Sequence, residues 1–120
     1  MYAPKVFLVE PTGFCLNSLS KYGELSYLFA SAKEKPNVFS SDLEWELISR
    51  LKKERFDADV DYVCVAGNQV CVLKLVLACM KLASSQGKLA LQVLMFDSRE
   101  ASRGYQEVVV DIPSTRRGEQ

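Results

Sequence analysis

A chain of 120 residues, 48% of them apolar and 25% charged, can bury a single core with no disulfide or metal to support it. Its 15 basic residues balance 15 acidic ones, which argues against a protein that coats nucleic acid, since phosphates call for a basic excess. It contains no histidine, so Cys/His zinc sites and serine–histidine or cysteine–histidine nucleophiles are excluded.

Met1-Tyr-Ala-Pro4 has no basic segment ahead of the first apolar run, so no signal peptide is expected. Lys5 to Glu10 predicts a strand that Pro11-Thr12-Gly13 ends. Phe14 to Lys21 is compatible with a loop or a single helical turn. Tyr22 to Phe29, rich in aromatic residues, predicts a second strand, and Ser31 to Asn37 a polar connector. Ser41-Asp42-Leu43-Glu44 has the form of a capping box. Leu43, Leu47, Ile48 and Leu51 follow at helical spacing and predict a helix over 42–55. Asp57, Asp59 and Asp61 lie in an acidic connector expected to be solvated; they lack the glycine and glutamate of a calcium loop, and no metal is expected.

Tyr62 to Ala66 is apolar throughout, as expected of a strand covered on both faces. Asn68 is placed to cap a helix over 69–85, and Gly87 to end it. Lys74 and Lys81 are the only charges on that helix. Such a narrow polar stripe predicts that its outer side is covered by a second copy of the chain, with Val72, Leu75, Val76 and Cys79 as the candidate interface. Val63 to Ala83 is broken at Gly67-Asn68-Gln69, so neither half reaches the ~20 apolar residues of a membrane span. Lys88 to Phe96 and Tyr105 to Ile112 predict a closing hairpin. Residues 113–120 read as a disordered tail.

The predicted fold is therefore a single α/β domain over 1–112, of mixed α+β character. It has a mixed sheet of about five strands and two helices in the order β-β-α-β-α-β-β, the middle β-α-β being a right-handed parallel crossover. Cys15, Cys64, Cys71 and Cys79 form no C-x-x-C pair and read as reduced, buried thiols, which implies a reducing cytoplasmic compartment.

Chemistry-bearing groups are sparse. Gly67, Asn68 and Gln69 open a helix after a strand, a geometry that favours an anion, although no G-x-G-x-x-G or P-loop is present. Arg99 and Arg103 in the hairpin loop are candidate phosphate partners. Thr12 and Gly13 would join them if the first and third strands are neighbours. No cofactor is implied.

Six segments carry a resemblance: Lys5-Val-Phe-Leu-Val9; Tyr22-Gly-Glu-Leu25 with Leu28-Phe29; Asn37-Val-Phe-Ser40; Asp61 to Val70; Val93 to Arg99; and Tyr105 to Ile112. In these the chain resembles a group of small proteins encoded by tailed bacteriophages. The group often has an acidic residue and a proline after the glycine, where this chain has Asn68-Gln69. It often reads leucine-lysine-tryptophan-aspartate-arginine where this chain has Leu94 to Arg99. The resemblance implies a phage origin and assigns no activity.

Two functions follow as expectations. The first is a non-enzymatic phage accessory protein that works by protein–protein interaction with a host or phage partner, as a homo-oligomer in the host cytoplasm. The alternative is a small-molecule or nucleotide binder using the Gly67-Asn68 helix start, in the manner of a counter-defence sponge.

Overall fold

The computed structural model describes residues 3–9, 19, 21–29, 37, 39–66, 68–97, 99 and 104–112. Seven elements follow in the expected order: β1 (Lys5–Leu8), β2 (Glu24–Tyr27), α1 (Leu43–Lys53), β3 (Tyr62–Cys64), α2 (Gln69–Ser85), β4 (Ala90–Asp97) and β5 (Gly104–Asp111). They build one five-stranded mixed sheet, in the order β2-β1-β3-β4-β5. The first four strands are parallel to their neighbours, and β5 turns back antiparallel along β4.

The handedness of parallel crossovers explains how the faces are used. From β2 to β3 and from β3 to β4 the chain moves the same way across the sheet, so right-handed crossovers place α1 and α2 on one face. From β1 to β2 it moves the opposite way, and the same rule sends that connection to the other face. The packing agrees. Phe7, Val9, Val63, Leu91 and Val93 meet both helices in one core cluster. Val6, Leu8, Cys64 and Leu94 point the other way and are covered by Leu19 and Tyr22 from the β1–β2 connection. Two-sided burial is why β1 and β3 are apolar at successive positions.

Local chemistry sets the helix ends. The Asn68 side chain accepts from the amides of Val70 (2.9 Å) and Cys71 (3.2 Å), the expected cap of α2. At the other end Gly87 takes φ of 77° while Lys88 N donates to Ala83 O and Gly87 N to Ser84 O. These are the paired bonds of a Schellman motif. α1 ends with the same bonds, from Phe56 N to Leu51 O and from Arg55 N to Lys52 O. Here Arg55 holds the left-handed position, at φ of 60°, so the helix stops at Lys53 and not at residue 55.

The predicted capping box does not form. Asp42 is the N-cap of α1 and makes no side-chain capping bond, while Ser40 Oγ accepts from the Asp42 amide. Glu44 turns aside to pair with Lys81 of α2. β2 and β3 are also shorter than predicted. Gly23 stands where the chain meets the start of β1: a Cβ there would lie 2.5 Å from Pro4 O. Cys15 and the predicted tail 113–120 lie outside the described residues.

The acidic connector is a second correction. Asp61 is fully buried, at 0% exposure. Its carboxylate accepts from the amide of Lys5 (3.0 Å) at the start of β1 and from that of Asp57 (2.9 Å) in the α1–β3 connection. Its own amide donates back to Asp57 O at 2.8 Å. Asp59, by contrast, is exposed and pairs with Lys88. Replacing Asp61 by Ala leaves two part-buried amides without their acceptor, so Asp61→Ala should lower unfolding stability by about 1–3 kcal/mol in urea denaturation, and Asp59→Ala by much less.

Candidate functional site

Parallel strands aim their C-terminal ends at one edge of the sheet, and ligands of open α/β sheets sit where the strand order reverses. Here the reversal falls between β1 and β3, which are neighbours as the candidate pocket requires. Asn68 and Gln69 start α2 at that edge, and Arg99 follows β4 there. Thr12, Gly13, Gly67 and Arg103 lie outside the described residues.

The helix start is less open to an anion than the sequence suggests. The Asn68 side chain already takes the amides of Val70 and Cys71, and Val72 N donates to Asn68 O at 2.9 Å. Two of the amides that would cradle a phosphate are thus spent on the cap. Among the described residues no group of three or more acidic, cysteine or histidine side chains is placed to hold a metal ion.

The outer side of α2 is more distinctive. Leu75 and Cys79 do not belong to it: both are at 0% exposure, packed between helix and sheet. This corrects their assignment as interface residues, because their 3.6-residue phase points them inward with Cys71, Ala78 and Leu82. Val72 and Val76 are half-buried and, with Val65, Gln69 and Leu73, line a shallow recess of about 400 Å³. The large apolar residues of α2 that do face solvent are Val70, Leu73 and Leu77. They occupy the helical phase opposite Leu75 and Cys79, a signal available in the sequence. On α1, Trp45 is 67% exposed, with the Lys81 ammonium 6.0 Å from its ring centre. The outer helix layer thus carries an apolar stripe with lysines at its border.

The family model described as "Phage Pam3 gp32-like protein" matches residues 5–112. The chain belongs to the phage Pam3 gp32-like family. The match spans all seven elements, β1 to β5 and both helices. No curated protein and no solved structure matches the chain. Among the described residues no helix is long and apolar enough to cross a membrane.

Cys64, Cys71 and Cys79 are buried, as expected for small apolar residues. Burial pushes the Cys64 thiol up to about 12 from its ordinary 9.0, offset in part by a hydrogen bond with Tyr105. Burial, and next the nearby Asp61 carboxylate, push Cys79 up as well. Folded thiols therefore keep protons that unfolded thiols lose above pH 9.0, so this stability is intact below that pH and is lost as pH rises toward 12. The urea midpoint should fall from pH 9 upward, and in a Cys64→Ala/Cys79→Ala variant the fall should begin nearer pH 10, where Tyr62 and Lys88, both raised, take over.

Proposed function

We propose that this phage protein acts without catalysis, as an accessory factor that binds protein partners and assembles with copies of itself in the host cytoplasm. The observation that carries this reading is the apolar outer stripe of the helix layer: Val70, Leu73 and Leu77 of α2 and Trp45 of α1, all exposed. Exposed apolar side chains at successive turns of one helix, beside a shallow recess, are characteristic of interfaces, and an exposed tryptophan supplies large burial when covered. The absence of histidine and the neutral balance of charge support the non-enzymatic part of the reading.

Sedimentation velocity tests it. The chain should sediment as a dimer or larger species at micromolar concentration. Leu73→Asp/Leu77→Asp should sediment as a monomer that still unfolds cooperatively, since neither side chain belongs to the core, with a midpoint lowered only by the loss of assembly. A wild-type monomer across the micromolar range would overturn the assembly.

A further inference from the structure

The sheet has two edges of unlike character. β2 is four residues long, whereas β5 is eight, pairs with β4 in an unbroken register, and contains no proline, lysine or arginine. Proteins usually blunt long edge strands with proline, with charged residues, lysine above all, or with bulges, because an open edge offers unpaired backbone groups to any incoming strand; the charges of β5 are Glu107 and Asp111, which repel an acidic strand but not a basic one.

The direction of those groups follows from a single bond. Ile112 N donates to Leu89 O at 2.8 Å, continuing the β4–β5 register. In an antiparallel ladder the residues alternate, so Val108 and Val110 direct their backbone groups to β4. Glu107, Val109 and Asp111 direct theirs outward. Their side chains share the sheet face away from the helices, and all three are exposed. The outer edge is therefore a row of acidic, apolar, acidic positions two residues apart, with Val108 exposed on the helix face between them.

We propose that the outer edge of β5 binds an extended basic segment of a partner protein as a sixth strand, with lysine or arginine opposite Glu107 and Asp111 and an apolar residue opposite Val109. This deepens the interaction-protein reading and rests on it. Backbone bonds supply the attachment in such strand addition, and alternate side chains supply selectivity. Charge decides the occupant. A second copy of β5 would gather four carboxylates, two from each copy, along one face, whereas a strand patterned basic–x–apolar–x–basic places an opposite charge at each acid. Self-association is left to the helix layer.

The test uses the full chain and two labelled heptapeptides read by fluorescence anisotropy: Thr-Lys-Thr-Val-Thr-Lys-Thr, and the same peptide with glutamate in place of both lysines. The lysine peptide should bind at least about tenfold more tightly than the glutamate peptide, and less tightly as salt is raised. Val109→Pro removes an outward amide without removing a bond to β4, and should abolish binding. Glu107→Lys/Asp111→Lys should reverse the peptide preference; both positions are exposed, so this variant keeps the fold. Equal binding of the two peptides, binding of neither, or a preference unchanged by the charge reversal would overturn the proposal. In Leu73→Asp/Leu77→Asp the preference should persist, so a failure of helix-layer assembly is read separately from a failure at this edge.

Discussion

The architecture depends on a reversal of direction in the sheet. The chain steps outward from β1 to β2, then crosses back over β1 and continues through β3 and β4. Because parallel crossovers keep one hand, that reversal assigns the two helices to one face and the β1–β2 connection to the other. The helix face receives a full layer. The opposite face receives Leu19 and Tyr22, with the Tyr22 hydroxyl donating to Tyr105 O at 3.2 Å and its ring 5.3 Å from that of Tyr62. Tyr62 is held above its ordinary phenol range by burial first, then by Glu107 and Tyr22.

Asp61 makes the reversal secure. It precedes β3, the strand to which the chain returns after α1, and its carboxylate fastens that return to the first residue of β1. A buried carboxylate is costly unless its oxygens are bonded, and here each oxygen accepts from a backbone amide. The three acids of this connector therefore do different work. Asp57 and Asp59 ion-pair with Lys88, while Asp61 is a core residue.

Much of this was legible in the residues. Element order and the hairpin follow from apolar runs and turn residues, and α2 from Asn68 and Gly87, whose roles are local. The misreadings have physical causes. The end of α1 was hidden because Arg55, not glycine, takes the left-handed turn. Ser41 and Glu44 matched a capping pattern, but tertiary pairing of Glu44 with Lys81 prevailed over the local bond. Burial of Asp61 depends on a partner 56 residues away, which no local pattern encodes. On α2 the sparse charge indicated an unusual surface, yet phase decided which residues form it: Leu73 and Leu77 outward, Leu75 and Cys79 inward.

The described residues thus present a helix layer with an apolar stripe and a sheet that ends at β5, a long edge strand whose only charges are acidic. Amide-resolved hydrogen exchange of the free protein measures that second feature without any partner in hand. Val108 and Val110 should be protected by β4, while the amides of Glu107, Val109 and Asp111 should exchange rapidly, giving a two-residue alternation along β5. Uniform protection along the strand would mean that its outer groups are already paired, and would contradict the account.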